Sequence, residues 1–337
     1  MSAIRRPAVL VASVAVLGGA LAACGSGPSQ VNSAVIMGDK VITVDDVQQR
    51  LDTALKVEPA AKELAKSRKL DLVSRGIVTQ LVRHELIAEA AKRENLTVSE
   101  KDVSDAVSQA APSEDPVQKS IDAGFDTHEL TRDRLLTVEL GRKYLGTLQL
   151  MLTGVDIQRP GYTREQANDL ARRMAAQPDQ IAALAKDAAG QPSQENPAQV
   201  LTNQEWNALI SYQRIAESGQ PPQGVSVSDL IVGQFFAAPD NSVIAVRLGS
   251  GEQTEWVIAK VARDPNGVPA DLASLASRAP AVFSMTLGER LLGPLAGQLH
   301  PRLSPRYGVW DELAVGIVPS EGEKSGLVLP LGNRAKP

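Results

Sequence analysis

The chain contains one thiol and three imidazole groups, and their positions limit the chemistry that it could carry out. Cys24 is the only cysteine among 337 residues, so no disulfide can form within the chain. His84, His128 and His300 are far apart, and none has a second metal ligand at a characteristic spacing. The sequence also contains no Gly-x-Ser-x-Gly turn and no phosphate-binding glycine-rich loop. These residues therefore assign no catalytic nucleophile, no metal site and no cofactor.

Cys24 ends a segment that is typical of secretory leaders. Arg5 and Arg6 precede an apolar run, residues 8–16, which is too short for an ordinary membrane-spanning helix. The run is followed by small residues up to Cys24. The pattern predicts a signal peptide over residues 1–23.

The four residues Leu21-Ala22-Ala23-Cys24 resemble the bacterial lipobox, in which the cysteine is lipidated before cleavage on its N-terminal side. The resemblance implies a lipid on Cys24 and a location on the outer face of the cytoplasmic membrane. Residues 24–32 are rich in Gly and Ser and predict a tether between the lipid and the fold. The alternative is a plain secretory leader that happens to end at a cysteine.

The composition favours a helical globular protein without a nucleic-acid partner. Hydrophobic residues make up 43% and charged residues 22%, an ordinary globular balance. Aromatic residues make up only 3%, so the core must consist mainly of Ala, Leu and Val. The net charge of −4 provides no basic face for nucleic acid.

The first half of the mature chain predicts a hairpin followed by helices. Two β-forming runs flank Gly38-Asp39 within residues 33–43, which indicates a hairpin. Thr43 with Asp46 and Ser99 with Asp102 are helix-starting pairs. Apolar residues at helical spacing predict long helices over the regions that carry Leu70, Val73, Ile77 and Leu81, and Leu136, Leu140, Tyr144 and Leu148.

The second half predicts a small α/β unit and a returning helix. Residues 154–161 predict a short strand with a turn, and Thr163 with Gln166 predicts a helix start. Residues 190–199 have no periodic pattern and predict an irregular stretch, followed by a helix over residues 206–216. Residues 242–248 and 255–261 predict an antiparallel hairpin, and leucines at spacing four from Leu287 predict a helix.

Two N-terminal stretches resemble the SurA and PrsA class of extracytoplasmic chaperones. They are AVIMGDKVITVDDVQQRLD and LVSRGIVTQLVRHELIAEAAKRENLTVSEKDVSDAV. The segment LSPRYGVWDELAVGIV is similar to the terminal part of actinobacterial proteins with a SurA N-terminal domain. The resemblance implies an α+β, mainly helical fold in which residues 33–150 and 287–318 form one chaperone domain. Residues 319–337 are expected to be a flexible tail.

Residues 154–264 resemble an inserted parvulin-type peptidyl-prolyl isomerase. TREQANDLARRM and IAALAKDA are similar to its first two helices, and FFAAPDNSVIAVRLGSGEQTEWVIAKV is similar to its closing hairpin. Parvulins usually place one histidine on the first strand and one on the last. Here the matching positions fall at Asp156 and at Trp256 or Val257, so the usual catalytic histidines are absent. Phe235, Phe236 and Trp256 are candidates for lining a peptide groove, with burial in the core as the favoured alternative.

The leading functional hypothesis is a membrane-tethered chaperone that binds unfolded secreted proteins through apolar helix surfaces, without ATP. The first alternative is an active prolyl isomerase, and the second is an envelope protein that binds one dedicated partner. The hypothesis also predicts that residues 304–318 pair with or pack on the hairpin at residues 34–43 as a third strand, which would bring residues 314–318 close to Val35. Tyr307 and Trp310 would then be buried contacts that fasten this segment to the N-terminal helices.

Overall fold

The computed structural model describes residues 32–191, 197–209, 233–248, 255–264 and 266–332. The fold is α+β, with more helix than strand. Cys24, the predicted signal peptide and residues 210–216 of the helix predicted over residues 206–216 lie outside the described residues. The start of that predicted helix is wrong, because Trp206 is the last residue of a strand.

The N-terminal part forms a hairpin and a group of helices, which a later helix joins. Its elements are β1 (Ser33–Met37), β2 (Lys40–Thr43), α1 (Val44–Val57), α2 (Pro59–Lys66), α3 (Leu70–Glu94), α4 (Glu100–Gln109), α5 (Pro116–Asp122) and α6 (Thr127–Leu145). The helix that returns to pack along α6 is Ala281–Leu299. We call these elements the helical unit.

The second unit is a five-stranded antiparallel sheet with two helices. In chain order its elements are β3 (Leu150–Ile157), α7 (Arg164–Ala176), α8 (Ile181–Ala189), β4 (Ala198–Trp206), β5 (Ser242–Leu248) and β6 (Glu255–Arg263). The chain continues through α9 (Ala270–Ala273), the returning helix α10 (Ala281–Leu299), β7 (Arg302–Leu303), β8 (Val309–Asp311), β9 (Gly316–Val318) and β10 (Gly326–Pro330). The strand order in the sheet is β10-β5-β6-β3-β4.

One hydrophobic core joins the two units. It runs from the helical unit to the face of the sheet that carries Leu152, Val246 and Val257. The opposite face of the sheet, with Val155 and Ile258, packs on α7 and α8 in a second core. The alternation of side chains along each strand explains this division into two cores.

Several local predictions are confirmed. Gly38 occupies the turn between β1 and β2 with φ of +59°, a conformation that glycine adopts without strain. Thr43 and Asp46 form a reciprocal capping box at the start of α1, and Thr163 and Gln166 form another at α7. Each box pairs two backbone N–H groups that have no partner within the helix.

The prediction that residues 304–318 provide the third strand of the hairpin is confirmed only at Ser304, at the edge of that strand, and is wrong for residues 314–318. β7 pairs with β1, so that Leu303 lies opposite Val35, and the Ser304 N–H donates to the Ala34 carbonyl at 2.8 Å. Residues 316–318 instead pair with β8 and pack on α3. The turn after β8 brings β8 and β9 side by side. β9 therefore pairs with a strand close to it in sequence and not with the distant hairpin.

The prediction of a flexible tail over residues 319–337 is also wrong for residues 326–330. These residues form β10, which pairs with β5 along its whole length, with Val328 opposite Ile244. The partly buried side chains of Leu327 and Leu329 pack against the second core. A strand at the edge of a sheet pairs with a single neighbouring strand. The sequence of the edge strand alone does not show which distant segment that neighbour is.

Candidate functional site

A cleft of about 430 Å³ lies between α3, α6 and α10 and is bordered by the segment that joins α4 to α5. Ile87 and Leu292 are buried in its floor, and Met285 is half-buried beside them. The lining side chains of α10 are Met285, Glu289 and Leu292, spaced so that they share one helix face. This volume falls within the range of known ligand sites.

The charged side chains of this cleft are paired with one another across the helices. Arg134 of α6 contacts Asp122 of α5 at 3.1 Å, and Arg83 of α3 lies 3.9 Å from Glu289 of α10. Asp133 also lines the cleft, and its Oδ2 atom lies 2.9 Å from Nδ1 of His84. Groups that are paired in this way fix the positions of the helices and leave an apolar floor for binding. The cleft is therefore suited to holding an apolar side chain rather than to acid–base chemistry.

His84 and Asp133 connect α3 to α6. Asp133 is buried, and His84 Nδ1 lies 2.9 Å from Asp133 Oδ2 and 3.8 Å from Glu129 Oε1. The hydrogen bond to Asp133 raises the pKa of His84, although burial acts in the opposite direction. Arg50 of α1 lies 3.8 Å from the same Glu129 carboxylate, so three helices meet at this cluster.

A second polar site lies on the sheet, where Asp156 of β3 and Glu255 of β6 form a carboxyl pair. Asp156 lies opposite Val257 in the register, and Glu255 is two residues away on the same face of β6. The side chain of Asp156 is buried and accepts a hydrogen bond from Gln158 at 3.1 Å. Burial raises the pKa of Asp156.

The pKa of Glu255 is raised further, to about 7, by burial, by the Asp156 charge and by their hydrogen bond. A hydrogen bond between two carboxyl groups requires one proton between them. The pair is therefore expected to hold a proton up to near-neutral pH. The sequence indicated Asp156 but not Glu255, and the only signal for Glu255 was its two-residue spacing from Val257.

Neither a scan against models of known protein families nor a search of curated proteins found a match for the chain. Within the described residues, no three His, Cys, Asp or Glu side chains cluster as metal ligands. In the same part of the chain, no helix has the length and apolar character needed to span a bilayer.

Phe235, Phe236 and Trp256, the candidates for a peptide groove, are buried in the core, as the favoured alternative predicts. All three side chains are at most 3% exposed, and they lie in different cores. Phe235 and Phe236 pack in the core shared with the helical unit, whereas Trp256 faces α7, where the Arg164 guanidinium lies 5.5 Å from its ring centroid. Trp256 and Val257 are consecutive residues of β6, so their side chains point to opposite faces of the sheet. Val257 lies in the same core as Phe235 and Phe236, and Trp256 lies in the other core.

In the described residues the long apolar helix faces pack together in the core and do not form broad exposed surfaces. The helical stripes that contain Val73, Ile77 and Leu140 are buried in the shared core. The exposed large hydrophobic residues in the described ranges are Val41, Val57, Leu72, Val200 and Val282. The α3–α6–α10 cleft is therefore a better candidate for binding than an open helix face.

Proposed function

We propose that the protein is a lipid-anchored extracytoplasmic chaperone that binds segments of unfolded secreted proteins in the α3–α6–α10 cleft, without ATP. The observation that carries the proposal is the apolar floor of Ile87, Met285 and Leu292 inside a rim of paired charges. The lipobox-like residues before Cys24 and the SurA-like stretches support the same function. Methionine suits a site that must accept different side chains, because it is flexible and polarizable.

An aggregation assay with an unfolded secreted protein tests this function. The wild-type protein should slow aggregation without nucleotide. Met285→Glu should abolish protection, because a carboxylate in the apolar floor disfavours an apolar segment. Val282→Glu is the matched control, since Val282 is 44% exposed on the first turn of the same helix. Circular dichroism must show both variants folded. No protection by excess wild-type protein would contradict the proposal.

A second candidate function is peptidyl-prolyl isomerisation, and the Asp156–Glu255 pair is the observation that favours it. Asp156 occupies one of the two positions to which the parvulin resemblance assigns a catalytic histidine, and Glu255 lies two residues before the other, Val257, on the same face of β6. The raised pKa of Glu255, about 7, suits a group that donates a proton to an amide near neutral pH. Such a site would have to lower a barrier of about 18–20 kcal/mol. A protease-coupled assay on a proline peptide decides between the two functions. Acceleration that is lost in Glu255→Gln would support isomerase activity, and no acceleration by the wild type would exclude it.

A further inference from the structure

The chain between Lys56 and Arg75 is basic, although the whole protein is acidic. It contains six Lys and Arg residues and three Asp and Glu residues, whereas the complete sequence carries a net charge of −4. The segment covers the end of α1, all of α2 and the first turns of α3. We call it the basic turn.

Most cations of the basic turn have no carboxylate partner within the described structure. Lys66 pairs with Glu63 at 2.7 Å, and Arg75 pairs with Asp71 at 3.2 Å. The other four have no ion pair with a described carboxylate, and they are exposed: Lys56, Lys62, Arg68 and Lys69. Arg68 adopts φ of +57° between α2 and α3, where the chain changes direction. Unpaired surface cations are available to an anionic partner.

Two exposed apolar side chains lie within the same segment. Val57 is 65% exposed at the end of α1, and Leu72 is 38% exposed in the first turn of α3. Cations that flank exposed aliphatic side chains are typical of a surface that lies in the headgroup region of a bilayer.

The start of the described chain lies at the beginning of α1, where the Val44 N–H donates to the Asn32 carbonyl at 2.9 Å. The basic turn begins at the other end of this helix, about 20 Å away, and a series of hydrogen bonds connects the two places. Arg75 Nε donates to the Tyr307 carbonyl at 3.3 Å, and the Tyr307 N–H donates to the Ser304 carbonyl. Ser304 in turn bonds Ala34, which is two residues from the first described residue, Asn32. Asn32 comes eight positions after Cys24, and a chain of that length spans at most about 28 Å. A lipid on Cys24 would therefore keep the helical unit, and with it the basic turn, within reach of the bilayer.

We infer that the basic turn rests on anionic phospholipid headgroups of the membrane that holds the lipid anchor. The inference depends on the anchor in the proposed function and not on client binding. Each cation near an anionic surface strengthens binding several-fold, and salt weakens the attraction. The contact would orient the helical unit relative to the membrane.

Vesicle sedimentation tests the inference with mature chain in which Cys24→Ser removes the lipidation site. This protein should bind phosphatidylglycerol-containing vesicles but not pure phosphatidylcholine vesicles, and high salt should release it. A triple variant should bind the phosphatidylglycerol-containing vesicles about 100-fold more weakly. It combines Lys62→Gln, Arg68→Gln and Lys69→Gln. The matched control neutralises three exposed cations of α7 and α8: Arg172, Arg173 and Lys186. It should bind like the parent.

Three results would overturn the inference: no binding of the parent to anionic vesicles, equal loss in the two triple variants, or equal binding to both lipid mixtures. The triple variant of the basic turn should also retain protection in the lipid-free aggregation assay. Loss of protection there would assign the basic turn to acidic clients instead of lipid. Failure of the chaperone function alone would leave the vesicle result intact, so the two failures are distinguishable.

Discussion

Gly141 of α6 and Gly288 of α10 bring the backbones of the two helices into direct contact. A Cβ atom on Gly141 would lie 1.7 Å from the Ser284 carbonyl oxygen, and one on Gly288 would lie 1.9 Å from the Thr137 carbonyl oxygen. These distances are far below van der Waals contact, and the neighbouring atoms are backbone atoms that cannot rotate away. The two glycines therefore fix the position of α10 along one wall of the cleft.

Gly288→Ala should destabilise the fold by about 2–3 kcal/mol, because the added methyl group forces the helices apart. Urea unfolding followed by circular dichroism measures this change. Gly297→Ala is the matched control on the same helix, since its nearest neighbour is 4.0 Å away. That substitution should be neutral or stabilising by up to about 1 kcal/mol, because alanine favours helix. Equal effects of the two substitutions would contradict the tight crossing.

His84 should make stability depend on pH above its ordinary pKa of 6.5. Its pKa is raised in the folded state, chiefly by Asp133, and the charges of Glu129 and Glu85 act in the same direction. The stabilisation is therefore complete below pH 6.5 and is lost as pH rises through the folded pKa. Free energies of unfolding measured across this range should fall with pH in the wild type and change less in His84→Gln. His128→Gln, at an exposed position, should keep the wild-type profile. Identical profiles for the His84 and His128 variants would show that the contact with Asp133 has no such effect.

Glu255 should also make the stability of the fold depend on pH, in a range below that of His84. Its pKa rises from 4.5 to about 7 on folding, so its contribution to stability is present below pH 4.5 and is lost as pH rises towards 7. Glu255→Gln should raise the melting temperature at pH 7, because it removes a charge that competes with Asp156. Glu205→Gln, at an exposed position on β4, is the matched control. A lower melting temperature for Glu255→Gln at pH 7 would contradict the shared proton.

Removing residues 320–337 should open the edge of the sheet. β10 is hydrogen-bonded to β5 from Gly326 to Pro330, so its loss leaves the β5 backbone groups on that side without partners, while those facing β6 stay paired. Amide hydrogen exchange over residues 242–248 should accelerate, and the melting temperature should fall. Removing only residues 333–337 retains β10 and should leave exchange unchanged. Equal exchange rates in the two truncated proteins would contradict the role of β10.

Local signals in the sequence predicted the elements that depend on neighbouring residues. The hairpin turn at Gly38 and the capping pairs at Thr43 and Thr163 involve residues only a few positions apart. β4 was missed because only Leu201 among its nine residues is buried, so an edge strand of this kind has no alternating apolar pattern. Its pairing with β3 connects residues about fifty positions apart, which no local pattern reports.

The candidate sites were harder to predict for the same reason. The cleft combines side chains from α3, α6 and α10, and the last of these helices lies more than 130 residues after α6. Glu255 approaches Asp156 only through the register of β3 and β6. Phe235, Phe236 and Trp256 are candidates for a groove because aromatic side chains suit a bound proline, but only the fold shows that Phe235 and Phe236 lie in one core and Trp256 in the other. The low aromatic content made core positions the favoured alternative, and their burial agrees with that alternative.

Site-specific photocrosslinking provides the most direct test of client binding in the cleft. A photoreactive amino acid is placed at Met285 or, as the matched control, at Val282, and each protein is mixed with a purified secreted protein held unfolded. If clients bind in the cleft, position 285 should form an adduct that disappears when the client is folded. Position 282 should form little or no adduct. Equal adducts from both positions, or none from position 285 while aggregation is still suppressed, would contradict binding in the cleft.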